Sequence, residues 1–174
     1  MAYAVELALD ERAGRVVRGL WRELSAIGVD WMDVSGAEPH VSLAIWDEIE
    51  RTRFDTALAR FARETAPVTV TFDAVGTFPG GAIYLRVAPS PALAEVQQRA
   101  HERLDGAGAG PWHYYLPERW IPHCTVAMEF PTERRDQALT IVRKASLPLV
   151  ARLETVALIE FRPVREVARY PLVG

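Results

Sequence analysis

The chain has 174 residues, 49% hydrophobic and 25% charged, which suits one soluble domain, or one domain of two lobes, with a sizeable core. Its net charge of −3 and pI near 5.8 argue against non-specific grip on a long nucleic-acid duplex, which needs many phosphates neutralised. Recognition of a single phosphate at a chain end stays open.

Nineteen of the twenty basic residues are arginine, Lys144 being the exception, a bias that reads as genome composition rather than phosphate binding. Cys124 is the only cysteine, so no internal disulfide can form. Residues 1–10 lack the basic region of an export signal, and no apolar run reaches the roughly 18 residues a membrane span needs. A cytoplasmic monomer without membrane contact is the expectation.

Taken in chain order, Ala2 to Leu9 alternates weakly as a strand. Asp10 can cap a helix over 11–25, where Ala13, Val16, Val17, Leu20, Trp21 and Leu24 recur at helical spacing. Gly28 breaks the pattern, and Val29 to Val34 reads as a short strand. His40 to Ile45 is strand-like. Asp47 and Glu50 form a capping-box pattern ahead of a helix to about residue 64. Pro67 stops that helix; 68–75 and 82–87 read as strands joined by the Gly76 to Gly81 turn. Ser90-Pro91 starts a helix to Leu104. The glycine-rich 105–111 must be loop; without strand-to-helix context it is no nucleotide fingerprint. An aromatic segment (112–120) leads to a strand at His123 to Met128. Thr132 caps a helix to about Ala145, and strands at 149–161 and 164–170 close the chain. The order predicts an α+β fold.

Two phrases stand out: P-H-V-S-L from Pro39 and I-P-H-C-T-V from Ile121. Their histidines, His40 and His123, are 83 residues apart. Strand side chains alternate faces, so His40 shares a face with Ser42, and His123 with Thr125. Cys124 points the other way and reads as a small buried hydrophobe. If the two strands face one another, a tetrahedral phosphate suits the gap. One imidazole would take a proton, the other give one, and the hydroxyls would donate to nonbridging oxygens. The residues alone equally allow two histidines that only fasten strand ends, with Ser42 and Thr125 facing solvent.

These motifs resemble the 2H phosphoesterase superfamily, in particular the 2'-5' RNA ligase or RNA 2',3'-cyclic phosphodiesterase family. Its signature is two distant His-x-Thr/Ser motifs with apolar neighbours. W-I-P-H-C-T-V-A from Trp120 resembles the approach to the second motif, F-P-G-G-A-I-Y-L-R-V from Phe78 the central segment, and F-R-P-V-R-E-V-A-R-Y-P-L from Phe161 the final hairpin. Ser42 stands where the family more often has threonine, and keeps the donor. The resemblance spans nearly the whole chain. It implies a single bilobal domain, 1–174: two pseudo-symmetric α/β lobes with small antiparallel sheets around a central cleft. It implies hydrolysis of 2',3'-cyclic phosphates at RNA ends or on small cyclic nucleotides to a 2'-phosphate, with 2'-5' joining as a secondary activity. No cofactor and no metal are implied, and no His/Asp/Glu cluster in the sequence has convincing ligand spacing. His123 is expected as base and His40 as acid, again by resemblance.

Further candidates for substrate contact are His113 and Trp120 with the other aromatics of 112–120, Phe78 and Tyr84 at the cleft edge, and Arg119 and Arg162 against phosphate. Anchoring of a loop explains the aromatics more simply, burial would explain Phe78 and Tyr84, and plain surface exposure explains the arginines more simply. Glu38 and Glu129 are candidates to orient a histidine. His101, among charged helix neighbours, reads as a solvated surface residue. A non-catalytic RNA- or nucleotide-binding module on the same fold, and an unrelated α+β interaction protein, are the alternatives. Both histidines together with both hydroxyls favour the enzyme.

Overall fold

Leu153 pairs with Leu9 on one side and with Val68 on the other, and this double partnership organises the molecule. It lies in the longest strand of the computed structural model, which describes residues 1–174. That strand, β7 (Leu149–Phe161), has 13 residues, long enough to serve two lobes. Its first part pairs with β3 (Val68–Thr77), and its second part with β1 (Ala2–Leu9).

Beyond β1 lie β2 (His40–Ile49) and the short β5 (Gly108–Pro111). Beyond β3 lie β4 (Ile83–Val87) and β6 (His123–Ala127). The last strand, β8 (Arg165–Pro171), pairs with the second part of β7. Every pairing is antiparallel. The α+β architecture is therefore present, with the two small sheets joined through β7 into one of eight strands.

Helix α1 (Glu11–Ser25) begins where expected: Asp10 Oδ1 accepts from the Ala13 N–H at 3.0 Å. Its apolar stripe buries Val17, Leu20, Trp21 and Leu24. The helix lies against β6, β7 and the short α5 (Arg135–Val142). Helices α3 (Arg51–Arg63) and α4 (Pro91–Leu104) pack on each other, α4 also meeting β2 and β3. Ser90 caps α4 by accepting from the Leu93 N–H at 3.2 Å. One cluster of 39 buried residues draws on both lobes, so they share a core; Cys124 lies in it, 1% exposed. No helix is long and apolar enough to cross a membrane.

Four local expectations are corrected. Residues Trp31–Val34 form a helical turn, α2, not a strand: Gly28, at φ 78°, turns the chain after α1, and burial of Met32 outweighs the local β-propensity. Helix α3 is capped by Glu50, which accepts from the Thr52 and Arg53 N–H groups at 3.2 and 3.0 Å. Asp47 stays in β2 because Trp46 and Glu48 pair with Pro111 and Ala109 of β5. That same pairing makes a strand of part of the expected loop 105–111. A 3₁₀ turn at Thr132–Arg134 precedes α5, which has no side-chain cap.

His101 is also not at the surface. It is 5% exposed, with Nδ1 3.2 Å from Asp105 Oδ1 and Nε2 2.9 Å from the Tyr115 carbonyl. Its ring lies 5.7 Å from that of Trp46. An imidazole with both nitrogens partnered can be buried beside charged sequence neighbours, which helical spacing alone does not reveal.

Candidate active site

The antiparallel register fixes which side chains share the cleft. Ala8 faces His40, Glu6 faces Ser42 and Ala4 faces Ile45 across β1 and β2. The register slips by one residue at Leu43, a bulge in β2. The even-numbered His40 and Ser42 and the odd-numbered Ile45 therefore end on one face. Across β1 and β7 the same face continues through Ala157, Ile159 and Phe161.

His123 and Thr125 approach from β6. With His40 and Ser42 they line one cavity of about 350 Å³. Glu6 and Arg162 are its other charged members. Its walls are apolar: Trp31 and Met32 from α2, Trp112 and Tyr115 from the aromatic segment, and Met128 beyond β6.

Both histidines are held alike. His40 Nδ1 lies 2.6 Å from the Glu38 carbonyl and His123 Nδ1 2.6 Å from the Ile121 carbonyl, in each case two residues earlier. A carbonyl only accepts, so each Nδ1 carries the hydrogen and each Nε2 is left for chemistry.

Their surroundings then differ. His123 packs against Phe78 and Tyr84, whose centroids lie 4.9 and 5.2 Å away. Burial here pushes the imidazole below its ordinary range, and the nearby His40 adds to the shift against the raising effect of the Ile121 hydrogen bond. Tyr84 can lie there because its register partner is Gly76: a Cβ at that position would sit 2.4 Å from the Tyr84 ring. His40 instead faces a carboxylate, its Nε2 3.3 Å from Glu6 Oε1, with the two side chains 16% and 15% exposed. Burial raises the Glu6 carboxyl above its usual range, although His40 and Arg169 pull the other way. Desolvation, with the Glu6 carboxyl nearby, pushes the Tyr115 hydroxyl up to about 12, so it stays a phenol.

The remaining candidates separate. Arg162 lines the cavity and is ion-paired with Glu129. Trp120 does not line it; its Nε1–H donates to the Ser42 carbonyl at 3.0 Å and fastens the approach to β6 onto β2. Phe78 and Tyr84 enclose His123 rather than line the cavity. His113 and Arg119 are exposed and outside the lining. Glu38 meets His40 through its carbonyl, while its carboxylate holds Arg169 at 2.7 Å. Glu129 reaches no histidine. Glu6 was not among the sequence candidates, and its one signal there is a charge inside the otherwise apolar A-Y-A-V-E-L-A-L.

The family model described as "2'-5' RNA ligase superfamily" matches residues 17–165. A search of curated proteins gives no match. Among solved structures, E. coli LigT complexed with 3'-AMP is similar with a TM-score of 0.62 and 14% identity, over 99% of this chain and 98% of that one. TT0787 of Thermus thermophilus gives 0.60 and 19% over 100% and 99%. Usb1 of Kluyveromyces marxianus gives 0.52 and 14% over 98% and 97%. At these identities the likeness is one of fold.

Proposed function

The chain belongs to the 2'-5' RNA ligase superfamily, and from that membership, which supports an enzyme acting on phosphodiester bonds, we propose a phosphodiesterase that opens 2',3'-cyclic phosphates to 2'-phosphates. The observation that carries the reading is the matched pair of histidines, each with Nδ1 engaged by a backbone carbonyl at 2.6 Å so that Nε2 is the nitrogen left to move a proton, in one cavity with two hydroxyls.

The electrostatic difference between them supplies the direction. His123, neutral because it is desolvated, takes a proton from water through Nε2 as the water oxygen bonds to phosphorus. His40, facing Glu6, holds a proton on Nε2 and gives it to O3' as the P–O3' bond breaks. The product is a 2'-phosphate with a free 3'-hydroxyl. Ser42 and Thr125 donate to the nonbridging oxygens, where charge builds in the transition state. In 2'-5' joining a 5'-hydroxyl replaces water: His123 takes its proton as the oxygen bonds to phosphorus, the P–O3' bond breaks, and His40 protonates O3'.

Hydrolysis of nucleoside 2',3'-cyclic phosphates, with the products separated by phosphate position, tests this. Wild type should yield the 2'-phosphate, and His40→Ala and His123→Ala should each lose most turnover. A binding module on the same fold would hold the nucleotide and leave it intact.

A further inference from the structure

Resting on the proposed phosphodiesterase reading, we infer that the substrate is a mononucleotide-sized 2',3'-cyclic phosphate bearing a single phosphate, not the end of an RNA chain. The argument is one of charge and room. Single-stranded RNA is gripped along its backbone by a groove of cations, with bases stacked beside it. Here the only arginine lining the cavity is Arg162, already ion-paired with Glu129. Arginines on neighbouring strands are likewise neutralised: Arg86 by Asp73 at 2.9 Å, Arg165 by Glu160, and Arg169 by both Glu38 and Glu166 at 2.7 and 2.6 Å.

On the far side of His40 the cavity adjoins a smaller one of about 190 Å³. It shares Glu6, Ala37, His40, Ile159 and Val164 with the first and adds Glu38, Glu166 and Arg169. Its one guanidinium, Arg169, is held by both Glu38 and Glu166, so no unpaired cation meets a second phosphate in that direction. The main cavity is otherwise apolar and holds about 350 Å³, at the lower end of small-ligand pockets. Trp112 and Phe161 meet edge to face at 5.8 Å in its wall, and the Trp112 Nε1–H is fixed by Asp47 at 2.8 Å. A fixed indole face in an apolar wall suits one base; the two hydroxyls and two imidazoles suit one phosphate.

The test compares nucleoside 2',3'-cyclic phosphates with six-residue RNAs ending in the same cyclic phosphate, by kcat/KM at three salt concentrations. In parallel, calorimetry measures binding of the nucleoside 2'-phosphate and of the RNA ending in a 2'-phosphate. The expected result is no more than about twofold gain for the RNA, in rate or binding. The slope of log affinity against log salt should match about one phosphate contact, at roughly 0.7 per contact for single strands. A tenfold or greater advantage for the RNA, or a slope worth three or more contacts, overturns the inference. If neither cyclic phosphate is hydrolysed, the phosphodiesterase reading fails, and the calorimetric comparison still decides the size class: equal binding supports it, and RNA preference or no mononucleotide binding sinks it.

Discussion

Glu6 Oε1 lies 3.3 Å from His40 Nε2, across the β1–β2 ladder and on the nitrogen that the Glu38 carbonyl leaves free. Burial raises the Glu6 carboxyl above its usual range, and the His40 imidazole facing it pulls the other way.

Glu6→Gln removes the negative partner of the protonated pair. The alkaline limb of the kcat/KM profile should therefore move to lower pH, with activity kept on the acid side. Stability changes in the opposite sense. Glu6 has its carboxyl raised above 4.5 in the folded chain, so its stabilising contribution is complete below the unfolded value and is lost as pH rises through the folded one. The melting temperature of Glu6→Gln relative to wild type should thus rise as pH increases above 4.5, the ordinary carboxyl value. An unchanged alkaline limb would assign Glu6 to packing alone.

His123 must be neutral to act as base, and its burial keeps it neutral to lower pH than an ordinary imidazole, whose reference value is 6.5. The acid limb of the wild-type profile should lie below that value. Phe78→Ala admits water to the ring and should move the limb upward, toward 6.5, with turnover at pH 8 little affected. The pH–rate profiles of the two proteins, side by side, check both statements.

Ser42→Ala and Thr125→Ala should each lower kcat by about 10²–10³-fold, the loss of one preorganised donor to a charged oxygen. KM should change less, because the charge develops after binding. Tyr115 lines the same cavity as Ser42, so Tyr115→Phe serves as a control that removes a neighbouring hydroxyl while keeping that of Ser42. Steady-state kinetics on a cyclic mononucleotide distinguish them.

His101→Ala should not be silent. It removes the contacts of His101 with the Tyr115 carbonyl and Asp105, each worth about 0.5–1.5 kcal/mol, although Gln97 still serves that carbonyl and Asp105 is exposed. Urea unfolding should show the loss. Because Tyr115 lines the cavity, KM should rise as well, while the pH limbs stay in place.

Activity should persist after dialysis against a chelator, since two imidazoles and two hydroxyls supply both proton transfer and charge stabilisation. Activity lost on chelation and restored only by a divalent ion would overturn the two-histidine mechanism.

Features that depend on neighbours along the chain were legible in the sequence. Strand alternation put His40 with Ser42 and His123 with Thr125, and turned Cys124 into the core. Asp10 and Ser90 announced their helices because a cap acts within three residues. Features that depend on pairing between distant segments were set by the packed fold. The β1–β2 register set Glu6 and Ser42 side by side and, through the bulge at Leu43, brought Ile45 onto the face of His40. Burial of His101 required an acceptor 14 residues away at Tyr115, and α2 formed where Met32 could be buried. The unlike surroundings of two histidines in matching sequence contexts came from Phe78 and Tyr84 on one side and Glu6 on the other. A one-residue shift in register flips every side chain to the opposite face, so such partnerships are fixed by the packed sheet and not by local periodicity.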